Sequence, residues 1–425
     1  MIKTYSFGFA MLSLMAMPAL AEQSTEQGAE QSSVDQFTPD SNIKPVGCDD
    51  CCDSCCDDCC DGCDGGCCSC GGSSCGGGGA GAAGGMSLAA LMGLEGSAWD
   101  IGGWTQFGYH DNQTPRSTSR GDLAAFNDVP DNLNLQQQWF YAGKEADGSR
   151  GLDWGFRFDA VYGTDAQKTQ AFGNPGGEWD VPWDHGVYGW AIPQLYGEIA
   201  MNDFSVIIGH FYTLVGYEVV QAPNNFFYSH SLTMFNSEPF THTGVLTTYK
   251  GFEGMTLYGG WTLGWDTGFT NAQSGNSLIG GFAVDLLDAV TLTYINTYGN
   301  FGTRNDGDRN GYSHSVVLTA DLTDSLKYVA QSDYVNADDV VGPPFVENDQ
   351  IGLNQYLFYE WNDIISLGTR MEWWKNGSVS NYEATTGVNF RVLNNVVIRP
   401  EYRKDWVPAT DLDEDTFGCD MILTY

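Results

Sequence analysis

The densest reactive chemistry in the chain lies near its start. Twelve cysteines, Cys48, Cys51, Cys52, Cys55, Cys56, Cys59, Cys60, Cys63, Cys67, Cys68, Cys70 and Cys75, are interleaved with seven aspartates. Thiolates favour soft ions such as zinc and copper(I). The pairs sit back to back, as in Cys51-Cys52 and Cys55-Cys56, and the glycine-rich flank lacks apolar residues to close a folded metal module. In an oxidising compartment the same residues would cross-link instead, within the tract or to a partner. Metal capture and disulfide use both stay open, and Cys419 is expected to stand apart from the tract.

A second set is charged and regularly spaced. Arg157 and Asp159 alternate with Phe156 and Phe158, Arg370 and Glu372 with Thr369 and Met371, and Arg391 with Phe390 and Val392. Arg399, Glu401, Arg403 and Asp405 alternate with Ile398, Pro400 and Tyr402. Period-2 spacing puts such charges on one face of a strand and the apolar residues on the other. Charges gathered on one inner wall would set a transverse field that orients dipolar solutes; paired across strands, they would only fill the wall. Hydrolysis is not expected. Six scattered histidines (His110, His185, His210, His230, His242 and His314) come without a Gly-x-Ser-x-Gly elbow anywhere in residues 99–425.

The elements that carry these residues read as strands. Leu152, Trp154, Phe156, Phe158, Ala160 and Tyr162 share one face, and Asp153, Gly155, Arg157 and Asp159 the other. No segment reaches 18 consecutive apolar residues, so a transmembrane helix is excluded. Aromatics make up 13% of the chain against only 17% charged residues, which suits strands showing aromatics to lipid. Sixteen candidate strands follow between Trp99 and Tyr425, an even number as bacterial barrels require. Joins alternate in length. Asn202-Asp203, Asp324-Ser325, Asn362-Asp363 and Asn394-Asn395 are tight, whereas 111–132, 164–187 and 216–241 are long. That alternation predicts periplasmic turns, outer loops and both termini in the periplasm.

The loop 216–241 carries Glu218, Asn224, Asn225, Phe226, Phe227, Tyr228 and Glu238. Its length and aromatic content make it the candidate constriction, the other reading being an outer loop packed on its neighbours or at a trimer contact. The chain ends on Tyr425, a terminal aromatic of the kind read by outer-membrane assembly machinery.

Residues 1–21 read as a signal peptide, with Lys3, an apolar stretch from Phe7 to Met17, and Ala19-Leu20-Ala21 as the cleavage site. An acidic lead at 22–47, the Cys/Asp/Gly tract at 48–85, both expected to lack fixed structure, and a linker or short helix at 86–98 precede the barrel at 99–425. Residues 22–75 hold 12 acidic residues and one lysine, and 99–425 hold 41 acidic and 16 basic. No basic footprint for nucleic acid exists in either part.

The segments GHFYTLVGYE (Gly209 to Glu218), NNFFYSHS (Asn224 to Ser231) and PFTHTG (Pro239 to Gly244) resemble the β-barrel porin-2, OmpL-like family. The resemblance implies an all-β transmembrane barrel in the outer membrane, embedded in its lipid, that passes small hydrophilic solutes or ions without a cofactor. It says nothing about the Cys/Asp tract. By that tract alone the chain would be an envelope-structural or metal-binding surface protein anchored by its barrel. A homotrimer is expected only by analogy with porins of similar strand number.

Overall fold

The computed structural model describes residues 88–94, 97–111, 126–174, 178–270, 274–302, 310–337 and 349–425. The expected signal peptide, acidic lead and cysteine tract lie outside the described residues. A single helical turn, α1 (Leu88–Leu91), precedes the strands.

Sixteen long antiparallel strands follow among the described residues: β1 (Asp100–His110), β2 (Asn134–Lys144), β3 (Asp153–Gly163), β4 (Tyr188–Met201), β5 (Phe204–Tyr212), β6 (Thr241–Phe252), β7 (Met255–Thr262), β8 (Asn276–Leu287), β9 (Val290–Asn300), β10 (Asn310–Thr323), β11 (Leu326–Ala337), β12 (Gln350–Glu360), β13 (Ile365–Asn376), β14 (Val379–Leu393), β15 (Val396–Val407) and β16 (Leu412–Thr424). A two-residue arm, Asp184–His185, pairs onto the start of β4 and is part of a loop. Helical turns α2 (Ala166–Thr169) and α3 (Leu232–Ser237) lie in the long joins.

Each strand pairs with its sequence neighbours, and β1 pairs with β16 to close the ring, Trp104 opposite Thr424 through His110 opposite Gly418. Closure is what lipid demands, because every backbone N–H and C=O inside the hydrocarbon must find a partner. Alternation then sorts the side chains. Along β3, Trp154 and Phe158 are exposed outward while Asp159 and Val161 are buried inward. At the end that carries the tight turns, Trp154, Phe204, Phe252, Tyr359 and Trp361 stand exposed on the outer surface, as in an interfacial aromatic girdle.

The join pattern matches the sequence with one exception, the two-residue turn Gly377-Ser378 where a loop was due. β5 also stops at Tyr212, three residues before the alternation does, because the chain there leaves the wall for the lumen.

The seam between first and last strands has its own clasp. Gly103 and Tyr425 exchange two backbone hydrogen bonds of 3.0 Å, and the Tyr425 hydroxyl accepts from Gln138 Nε2 on β2 and donates to the Trp139 carbonyl at 3.3 Å. Tyr425→Phe should therefore lower the temperature at which the folded, fast-migrating band is lost on a denaturing gel, by the equivalent of about 1 kcal/mol. Deleting Tyr425 should lower it further, and Tyr298→Phe on the exposed outer wall should not change it.

Candidate functional site

The join between β5 and β6 folds into the barrel. Its two limbs are pinched at the mouth, where Thr213 N donates to the Phe240 carbonyl at 3.1 Å. They cross at Gly216, whose φ of +92° is in the region that favours glycine. A Cβ there would lie 1.9 Å from Glu238 Oε2, so only glycine lets the limbs pass. Deeper in, the Asn225 side chain braces the first limb by accepting from Val219 N at 3.0 Å and donating to the Val219 and Gln221 carbonyls at 2.5 and 3.1 Å. α3 then starts at the N-cap Ser231, whose Oγ accepts from Met234 N at 3.1 Å.

A backbone brought into the lumen exposes amides and carbonyls that need partners. The inner faces of β13 and β15 supply them, and β14 braces Arg370 between them. On β13, Glu372 accepts from Leu232 N and Thr233 N, both at 2.6 Å, filling the free amides at the start of α3. Arg370 donates to the Ser229 carbonyl at 2.9 Å and to Glu218 Oε1 at 2.7 Å, while its Nε holds Glu383 of β14 at 2.8 Å. On β15, Glu401 accepts from Tyr228 N at 2.8 Å and Ser229 N at 3.1 Å. Arg403 grips Asp405 at 2.7 Å and donates to the His230 carbonyl at 2.6 Å. Arg399 is fixed by Asp420 of β16 at 2.6 Å and donates to the carbonyls of Ala222 and Asn225 at 2.9 and 2.6 Å.

The wall is also shaped to receive the loop. Gly368 on β13 lies where a Cβ would come within 2.4 Å of the Phe226 ring, and Gly352 on β12 within 2.3 Å of Thr233. Phe227 packs with Val317, Val329 and Tyr356 across β10 to β12. On the other side, Gln137 of β2 donates to the Val220 carbonyl at 2.8 Å and accepts from Ala222 N at 3.1 Å. Phe126, from the β1–β2 join, lies tilted against the His230 ring with centroids 4.5 Å apart. Burial holds His230 neutral, with its pKa pushed down to about 4.

The structure thus brings together most of the residues marked by spacing, in a different relation from the one expected of a bare pore wall. Arg370, Glu372, Arg399, Glu401, Arg403 and Asp405 point inward but are buried beneath the loop, and Arg370 is fully covered. The physical reason is backbone satisfaction: a buried loop consumes the charges that would otherwise line open water. Asp159 is likewise covered, bonded to Arg157 at 2.5 Å and to Trp139 Nε1 at 2.9 Å. Asn224 sits half-buried in the short turn whose Ala222 and Asn225 carbonyls Arg399 binds. Arg157 and Arg391 remain partly open near the turn-side mouth, paired with Asp100 at 3.2 Å and Glu360 at 4.0 Å, and Lys327 with Asp321 at 3.8 Å adds a third such pair.

Several participants escaped the sequence reading: Gln137, Gln331, Asp333, Glu383 and Asp420. Each lies in phase on the polar face of its strand, so a full alternation map would have found them. The histidines form no relay among the described residues. His242 meets Thr213 Oγ1 at 3.1 Å, but its other nitrogen faces the Gly264 carbonyl rather than a carboxylate. Cys419 is a half-buried free thiol on the outward phase of β16, beside Phe417 and Met421.

A family model described as "Putative beta-barrel porin-2, OmpL-like" matches residues 99–423. The chain belongs to this family. Solved structures similar to this OmpL-like barrel include the outer-membrane channel DcaP of Acinetobacter baumannii (12% identity, 77% of this chain and 97% of that one, TM-score 0.53). The anion-selective porin of Comamonas acidovorans (10%, 77% and 99%, 0.53) and Salmonella typhi OmpF in complex with daunomycin (12%, 77% and 97%, 0.51) are comparable. At such identities the likeness is one of fold. No curated protein matches the sequence significantly. Family and fold make the chain a porin-like barrel of the outer membrane.

If the wall charges seat the loop, removing one leaves its partners buried and unpaired. Arg399→Met should cost about 3–5 kcal/mol. It should appear as a lower urea midpoint and faster protease cleavage within 217–240, whereas the outward Met371→Leu should change neither.

Proposed function

We propose that this OmpL-like barrel passes small hydrophilic solutes by passive diffusion, through a bore narrowed by the loop 213–240. The observation that carries the reading is the loop itself: its buried residues between Val215 and Phe240 lie inside the wall rather than above it, and β13 and β15 are committed to holding it there. A barrel serving only as an anchor has no need of an inner loop seated by buried guanidinium groups. A ring of sixteen strands is wide enough for an aqueous channel.

The tight turns face the periplasm in this reading, which puts the partly open pairs Arg157–Asp100, Lys327–Asp321 and Arg391–Glu360 at the periplasmic mouth. Mixed charge there favours polar over apolar solutes, and the loop sets the upper size limit. The ionic pairing of the covered arginines supports seating of the loop more than a free transverse field across open water.

Liposomes carrying the purified barrel should swell in isotonic arabinose or glucose and swell progressively less in sucrose, raffinose and stachyose. A folded, inserted barrel that admits none of these sugars, nor any small ion, would contradict the proposal.

A further inference from the structure

The seat of the loop buries far more negative than positive charge. Around the three guanidiniums, Glu218 and Glu383 share Arg370, Asp405 has Arg403 and Asp420 has Arg399. Glu372 and Glu401 accept backbone amides. On the β11 side of the loop, two carboxylates have neither a cation nor a backbone amide bonded to them among the described residues: Glu238, where the loop leaves α3, and Asp333 on β11. Both are 2% exposed. They converge on one group, since Gln331 Nε2 donates to Glu238 Oε1 and to Asp333 Oδ2, each at 2.5 Å. Gln331 Oε1 meanwhile accepts from Tyr217 N at 3.2 Å, so this one amide ties both limbs of the loop to β11. Asp333 faces the buried hydroxyl of Ser315, the residue directly opposite it on β10.

Two carboxylates held this close in a dry site cannot both carry charge without a counter-ion. We propose that Glu238 and Asp333 share a proton, and that this proton is the latch that keeps the loop against β11. The groups facing Glu238 make any other neutralisation hard: Asp333 from β11, Glu372 from β13 and Glu218 from the loop itself are acidic, and Tyr356 from β12 is a neutral phenol. Burial, and after it the Asp333 charge, push the Glu238 carboxyl well above its ordinary value. A raised carboxyl pKa means that the seated loop is favoured while the proton is bound and loses that support as pH rises through the raised value. The device would loosen the loop as pH rises, whereas the limb Ala222 to His230 is also held by the guanidiniums of Arg370, Arg399 and Arg403, which stay charged throughout.

The test reads the loop and not transport, so its failure is distinct from failure of the channel reading. Amide hydrogen exchange across 215–240 is followed from pH 5 to 9 in the full-length protein in detergent, each rate divided by its intrinsic value at that pH. Near Tyr217 and Glu238, wild-type opening should rise up to about tenfold for each pH unit between the ordinary carboxylate range and the raised value, and level off above it. It should be nearly flat around the Arg399-bound turn. Glu238→Gln should abolish the rise while keeping the loop seated, and Asp333→Asn should do the same, giving a second reading if either variant folds poorly. A pH-independent wild-type loop, an unchanged rise in both variants, or a loop that is tightened by added calcium but not by protons would each overturn the latch.

Discussion

The architecture turns on one requirement: a stretch of irregular backbone brought inside a barrel must have its amides and carbonyls bonded, and at this site no helix or sheet ladder does it. Arg370, Arg399 and Arg403 answer for the carbonyls of Ser229, Ala222, Asn225 and His230, and Glu372 and Glu401 for the amides of Tyr228, Ser229, Leu232 and Thr233. Guanidinium is suited to the task because one planar group serves a carboxylate and two carbonyls at once. Arg399 does so with Asp420, Ala222 and Asn225. The loop's position therefore depends on charges of two strands, β13 and β15, with Glu383 of the intervening β14 and Asp420 of β16 bracing Arg370 and Arg399.

That dependence links the two faces of the wall. Lipid excludes charge from the outer phase of each strand, so every buried arginine and glutamate of β13 to β15 is pushed to the inner phase. There the same residues meet the loop. Gly352 and Gly368 complete the fit by withdrawing side chains where Thr233 and Phe226 approach. What remains in contact with water is a short set of charged pairs toward the turn-side mouth. On the loop side, the inner-wall residues Ser277, Thr297 and Ser313 are buried, Thr297 beneath Trp265 of the β7–β8 join, which donates to it at 3.2 Å.

Strands were readable from the sequence because their signal is local and strong. The alternation of Trp154 to Tyr162 fixes face and period together, and tight joins such as Asn202-Asp203 leave no room for other elements. The charged residues on β13 to β15 were readable for the same reason. Their role was not, because burial under a loop is a non-local fact: nothing near Arg399 in sequence announces the carbonyls of Ala222 and Asn225, more than 170 positions away. Gly377-Ser378 failed in the opposite sense, since a tight turn on the loop side breaks a rule that holds elsewhere. Gln331 and Asp333 were missed because uncharged or lone acidic positions stand out less than an Arg–Glu alternation.

The account's central claim is that a conducting bore is narrowed by a loop seated on wall charge. Single-channel recording in planar bilayers tests it most directly, comparing the wild-type barrel with one in which residues 219–236 are replaced by a short Gly-Ser link. Stepwise conductance in both, with clearly larger steps in the shortened protein, is the predicted result. Equal steps in the two, or insertion without conductance in either, would contradict it.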